Sequence, residues 1–271
     1  MKQKVLLTGG AGFLGSYVKE DLEDHGYEVI VFDKKLETRN NLVYSNLSIL
    51  REVDYVIHMA AEVGLQSCFK DPILAVNNNV LATTRLLEAC KQNKNIKHII
   101  VTSTWAVKGK LENPYDVTKL CAENMALSYA KLHGLPVTVF RLGTAFGNGM
   151  RENGVICSYI KAAKTGQPLQ VQGRGEQIRQ FTHAKDIAKA YRMGLDQAHK
   201  NKVYYIVSPE VVSINDLAKM FDKPIEYKEA RTGDEDYKVI SSKDAMNDFG
   251  WMPEISLKDG ILEMENTLNY D

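Results

Sequence analysis

The sequence predicts an α/β fold, a doubly wound parallel sheet with a smaller C-terminal lobe. Three observations carry this. Short runs that are apolar throughout alternate with longer segments of helical periodicity over the first half of the chain, the pattern of strands buried on both faces. A glycine-rich turn joins the first strand to the first helix. After about residue 148 the rhythm becomes irregular, which divides the chain into a cofactor-binding domain over 1–148 and a mainly substrate-binding lobe over 149–271, with some elements of the second returning to the main sheet.

The elements follow in order. Residues 4–8 are a short apolar strand, followed by the glycine turn and an amphipathic helix with Phe13, Leu14, Val18 and Leu22 on one side, stopped by Gly26. "YEVIVFD" is the second strand, completing a βαβ unit. Residues 53–61 read as a buried strand, 72–93 as one long helix and 97–107 as another strand. Residues 115–133 are a helix that Asn113 can cap, with Pro114 in its first turn and Gly134 at its end. Residues 136–147 are a strand with its exit loop. Beyond them, "GVICSYIKAAKTGQ" and "HAKDIAKAYRMGL" are helical, "KVYYIVS" is a strand, and "SINDLAKMF" is a helix capped by Ser213.

The chain has 271 residues, with 34 basic and 34 acidic side chains and a formal net charge of zero. That balance disfavours a general nucleic-acid binder. The N-terminus shows no long apolar leader, and no apolar run approaches a membrane span. The four cysteines, Cys68, Cys90, Cys121 and Cys157, are widely spaced and form no CxxC or zinc-ligand pattern. No metal site is expected, and free thiols in a reducing cytoplasm are the simplest reading.

Gly9, Gly10, Gly12 and Gly15 lie between strand and helix. Glycine permits the tight turn and a close backbone approach to a pyrophosphate, which the helix N-terminus then holds. An acid, Asp33, ends the next strand about 20 residues on, where a carboxylate accepts hydrogen bonds from the adenosine ribose. It would repel a 2′-phosphate, so NAD is favoured over NADP, although Lys34 and Lys35 follow directly. A Rossmann-type dinucleotide site is the expectation.

"YDVTK" puts Tyr115 four residues before Lys119, on one helix face. Spacing alone cannot decide, since most such pairs are solvated surface pairs. The context is a helix that follows a strand whose carboxyl end faces the cofactor. A free tyrosine titrates near pH ~10, too high for a base at neutrality, and an adjacent ammonium lowers it. Thr104 ends the preceding strand and can bond the reacting hydroxyl. The set suits alcohol oxidation with hydride transfer.

On these residues the chain resembles the extended short-chain dehydrogenases/reductases, in the group of NAD-dependent nucleotide-sugar epimerases and dehydratases, over nearly its whole length. "TGGAGFLG" resembles the family's glycine motif, which implies cofactor contacts for Gly9, Gly12, Phe13, Leu14 and Gly15. "HMAA" resembles the strand under the cofactor, with Ala60 and Ala61 against it. "NNVLATTRLLEAC" resembles the helix whose asparagine, here Asn79, supports the substrate site. "TSTWAVKG" puts the catalytic hydroxyl on Thr104, and "YDVTK" is the catalytic YxxxK. "GQPLQVQGRGEQIRQF" and "RTGDEDYK" resemble segments that place Arg179 and Arg231 on a nucleotide diphosphate, a use that suits the guanidinium fork. His58 reads as a positioned strand-end histidine rather than a proton shuttle, Asp186 as a helix cap, and Tyr204 and Tyr205 as packed strand residues.

Three departures from the family pattern bear on substrate. The segment after Asp33 is short, with Asn46 of "SNLS" where relatives carry an adenine-binding acid. Residues 109–115 are abridged, so the sugar rim is open or closed by another segment such as 62–72. Trp105 and Ala106 stand where 4,6-dehydratases carry acids. The resemblance then implies 4-epimerisation of a nucleotide-diphosphate sugar, UDP-hexose first, with a reductase or dehydratase as the enzyme alternative and an NAD-sensing scaffold as the non-enzyme one. It also implies a cytoplasmic homodimer through helices 72–93 and 115–133, with Leu81, Leu86, Leu87, Leu120, Met125 and Leu127 in that contact or in the core.

Overall fold

The computed structural model describes residues 2–230 and 238–268. The chain runs β1 (Lys4–Thr8), α1 (Phe13–Asp24), β2 (Glu28–Phe32), β3 (Tyr55–His58), α2 (Leu65–Lys70), α3 (Pro72–Ala75), a π-helical stretch (Val76–Leu81) and α4 (Ala82–Lys91). β4 (His98–Thr104), α5 (Pro114–His133), β5 (Val137–Leu142), β6 (Thr144–Phe146) and α6 (Val155–Thr165) follow. The remainder is β7 (Leu169–Gln172), β8 (Ile178–Arg179), β9 (Phe181–His183), α7 (Ala184–Gln197), β10 (Val203–Ile206), β11 (Val212–Ser213), α8 (Ile214–Lys219), β12 (Ile225–Lys228), α9 (Lys243–Phe249) and α10 (Leu257–Thr267).

Six parallel strands form the main sheet in the order β10-β5-β4-β3-β1-β2. Alternate side chains of one strand enter different cores, as the pleat requires. Val5 and Leu7 pack with α1, α7 and α9, while Leu6 packs with α4 and α5 on the other face. β10, from the second half of the chain, adds the edge strand beside β5. A third cluster, around Phe146, Tyr159, Leu169, Phe181, Leu217 and Met264, forms the core of the lobe. Among the described residues no helix is long and apolar enough to cross a membrane.

The helix stops obey local chemistry. Asn113 Oδ1 accepts from Asp116 N at 2.8 Å, and Gly134 ends α5 with φ 66°. Ser213 Oγ accepts from Asp216 N at 3.0 Å. The single helix expected over 72–93 differs. A π-helical stretch interrupts it at Val76–Leu81, because the backbone there widens to turn Asn79 inward.

Asp186 also differs from its expected role. His183 caps α7, and the Asp186 carboxylate instead accepts from Glu254 N and Ile255 N, both at 3.0 Å, tying the C-terminal segment to the helix.

Candidate active site

A cleft of about 720 Å³ opens along the carboxyl ends of β1 to β5, within the size range of ligand sites. Its floor is the glycine turn. Gly9 has φ 76°, and a Cβ there would stand 2.7 Å from Ala60 N. A Cβ at Gly15 would stand 2.2 Å from Gly9 O, so α1 can approach the turn only with glycine there. Gly12 precedes α1 without a side-chain cap, and the first turn carries no acid. Its N–H groups and dipole are thus available to an anion. Asp33, buried at the end of β2, accepts from Ala11 N at 3.0 Å and Lys35 N at 2.8 Å. These bonds orient the carboxylate and leave lone pairs toward the cleft. Ala60, Ala61, Phe13 and Leu14 line the same wall. The cradle fits a dinucleotide: a glycine floor, an open helix N-terminus and an acid one strand over.

At the other end, Thr104, Tyr115 and Lys119 line the cleft together. Thr104 closes β4, and its Oγ1 accepts from Ala106 N at 3.3 Å. Tyr115 and Lys119 lie one turn apart on α5. Lys119 is buried and its Nζ donates to Thr102 O at 2.6 Å. Burial pushes that amine down to about 8, with Glu123 opposing. Tyr115 departs from expectation. Burial raises its phenol above the ordinary value, Asp116 and Cys68 push the same way, and the Arg151 guanidinium opposes them. Desolvation of the phenolate outweighs the Arg151 charge.

Behind the cleft the polar groups are locked. Asn79 is buried; its Oδ1 accepts from Glu62 N at 2.7 Å, and its Nδ2 donates to Glu62 O at 3.1 Å and Thr118 Oγ1 at 2.9 Å. It therefore braces the wall and α5 from behind and does not itself line the cleft. His58 is fixed between Thr8 Oγ1 and Thr83 Oγ1, each at 2.8 Å. Thr83 donates to Asn79 O, so it accepts from His58 Nε2–H, and Nδ1 is left to accept from Thr8. Burial first and the Lys119 charge second hold His58 down to about 3.

Asn46 is exposed and its Oδ1 accepts from Ser48 N at 3.0 Å, while Asn40, Asn41 and Leu42 line the cleft in that region. Arg179, on β8, lines a small adjoining pocket with Trp105, Thr144, Gln180 and Lys238, and Gly143 borders both cavities. Arg231 lies outside the described residues.

Sequence reasoning passed over Glu62, Asn78 and Arg151, which also line the cleft. Asn78 Nδ2 is buried without a hydrogen-bond partner among the described residues, a donor that a bound ligand would satisfy. Arg151 donates through Nη2 to Val63 O at the rim. The segment 62–72 thus meets the opposite wall where the abridged loop is short. The one available signal was a lone cation in the glycine- and asparagine-rich stretch "GNGMRENG".

The sequence model of the family described as NAD dependent epimerase/dehydratase matches residues 5–207. The chain is similar to a putative UDP-glucose 4-epimerase of Methanocaldococcus jannaschii, 28% identical with 97% of each chain covered. It is also 28% identical, over 96% of its length, to a trifunctional UDP-glucose 4,6-dehydratase/UDP-4-keto-6-deoxy-D-glucose 3,5-epimerase/UDP-4-keto-L-rhamnose-reductase of Arabidopsis thaliana, of which it spans 46%. Among solved structures, the UDP-glucuronic acid 4-epimerase from Bacillus cereus in complex with UDP-glucuronic acid and NAD has a TM-score of 0.87 and 26% identity, with 97% of this chain and 98% of that one covered.

Proposed function

From the premise that the chain belongs to the NAD-dependent epimerase/dehydratase family, we propose that it is a nucleotide-sugar 4-epimerase whose substrate is a UDP-hexose. The observation that carries this reading is the joining of Thr104, Tyr115 and Lys119 to the glycine turn and Asp33 in one cleft. Relatives named for UDP-glucose and UDP-glucuronic acid support the UDP-sugar class.

Bound NAD supplies the acceptor and donor of a hydride at C4, so oxidation and return to the opposite face leave no net redox change. The N-terminus of α1 holds the pyrophosphate and Asp33 the adenosine ribose. Tyr115 takes the C4 hydroxyl proton and gives it back. Its raised pKa keeps it a protonated phenol in the resting protein, the form that returns a proton to the C4 oxygen, while the less populated phenolate is the form that takes one. Thr104 orients that hydroxyl. Lys119 holds a ribose and offsets the phenolate charge. Arg179 and Arg231 clamp the diphosphate while the sugar turns over.

A second reading, dehydration, draws on Glu62, a carboxylate that lines the cleft although Trp105 and Ala106 follow Thr104. We also propose a cytoplasmic homodimer. Ile73, Val76, Leu81 and Val117 expose apolar surface on the helices concerned, and Phe69 on the adjacent α2, whereas Leu86 and Leu87 are fully buried in the core.

A proton NMR time course tests the function. The protein is mixed with UDP-glucose, UDP-galactose or their N-acetyl forms in D₂O, with NAD and no reductant. Epimerisation gives the anomeric signal of the C4 epimer with no deuterium at C5, whereas dehydration exchanges the C5 proton. Tyr115→Phe is expected to slow turnover at least ~100-fold while NAD still binds. Unchanged spectra from NAD-binding protein would remove both readings for these sugars.

A further inference from the structure

A buried group of charges lies beneath the reacting end, and the chemistry above does not use it. Strand register assembles it. Ser103 of β4 stands beside Arg141 of β5, and Arg141 beside Tyr205 of β10. Arg141 Nη1 donates to Tyr205 OH at 2.8 Å, and the guanidinium lies 5.3 Å from that ring's centroid. Glu123 of α5 comes down onto this row. Its Oε2 accepts from Ser103 Oγ at 2.7 Å and from Arg141 Nε at 3.0 Å, and its Oε1 accepts from Arg141 Nη2.

The Glu123 side chain is 1% exposed and that of Arg141 is 8% exposed. So deep a pair is weak evidence for stability, because desolvating both charges offsets their attraction. Its position gives another reason for it. Glu123 follows Lys119 by one turn on the same helix face. Lys119 is buried too, and the acceptor of its Nζ, Thr102 O, is uncharged. A buried amine facing only neutral acceptors gives up its proton readily.

We propose that Glu123, fixed in place by Arg141 and Ser103, is a positioning residue that acts through Lys119, as the counter-charge that keeps the buried amine an ammonium at working pH. The proposal rests on Lys119 belonging to the reaction centre, but not on which sugar reacts there. The other titratable groups around Lys119 come from several elements. His58 of β3 is held neutral by burial first and by the Lys119 charge itself second, with its ring fixed between two threonines. Tyr191 of α7 lies behind Thr102, bonded to its hydroxyl at 2.6 Å, and burial holds its phenol up. Arg141 of β5 is bound to Glu123. Tyr115 and Asp116 sit one turn earlier on α5, the latter bonded to Asn113. Burial lowers Lys119, and Glu123 opposes that lowering.

The test reads Lys119 directly. Protein labelled with ¹³Cε-lysine is titrated by NMR, and the Lys119 signal is identified by its absence in Lys119→Met. The midpoint is expected near 8 in the wild type and about one unit lower in Glu123→Gln. That variant leaves Arg141 buried without its partner and is expected to be less stable. Glu123→Gln/Arg141→Met leaves no unpaired buried charge, and the shift should persist in it. A midpoint unchanged in the double variant would overturn the proposal.

The rate gives a second readout. Wild type and double variant should be nearly equal in kcat/KM at pH 6 and about tenfold apart at pH 9, because the charged fraction of Lys119 separates only above its lowered midpoint. An even loss at every pH would mean a merely structural role and would also overturn it. Absence of turnover on every UDP-hexose would sink the epimerase reading and leave the NMR result standing.

Discussion

At His58 the neighbours decide the proton. Thr83 is committed as a donor elsewhere, so Nε2 carries a hydrogen, and burial first and the Lys119 charge second keep the ring neutral. The native pKa near 3 lies below the ordinary 6.5. Below pH 6.5 the unfolded chain therefore binds a proton that the native state refuses, and stability falls as pH falls toward 3. The slope from this residue is up to about 1.4 kcal/mol per pH unit. Urea unfolding between pH 7 and pH 5 should be steeper for wild type than for His58→Asn by nearly one proton; equal slopes would disprove it. At this scale the sequence was informative wherever one residue type has one backbone use. Gly9, Gly15 and Asp33 show their positions because only glycine fits beneath Ala60 and Gly9, and because Asp33 is the acid that directly follows β2 at the cleft. Tyr115 was less legible. The YxxxK spacing shows the neighbouring lysine but not the burial that raises the phenol.

Among the elements, the stretch from Pro72 to Lys91 shows what periodicity hides. Its apolar pattern reads as one helix, yet it contains the π-helical stretch that turns Asn79 onto Glu62 and Thr118. A π turn adds a residue to the turn without changing the composition, so a count at 3.6 residues per turn passes over it. Asn79→Ala would strand the Glu62 N–H and C=O and free α5 at Thr118. We expect it to lower unfolding free energy by about 3 kcal/mol, since each stranded buried polar group costs about 1–3 kcal/mol. Denaturant unfolding measures this, and a loss below about 1 kcal/mol would mean that water replaces the amide. The caps at Asn113 and Ser213 were legible, since an Asn or Ser before a helix has few other uses. Asp186 was not, because its partners Glu254 and Ile255 come from a segment no local pattern connects to it.

For the whole molecule, the sheet order follows from parallel strands with helical crossovers, and the apolar strand runs announce it. Where the two halves of the chain meet is less visible. Arg151 and Val63 show no relation in sequence, and the Arg179 pocket depends on the lobe's approach to Trp105. Assembly belongs to this scale. If the exposed face carrying Phe69, Ile73 and Val117 joins two copies, then Ile73→Asp should sediment near the single-chain mass of 30.5 kDa, with the wild type at twice that. A wild type that already sediments as one chain would sink the dimer. The Arg151–Val63 bond, finally, ties together points 88 residues apart, and Gly64 beside it has φ 116°, a conformation that strains any residue with a Cβ. This contact works as a latch. It fastens segment 62–72 to the lobe across one edge of the cleft, so whatever enters at that edge passes beside it or undoes it.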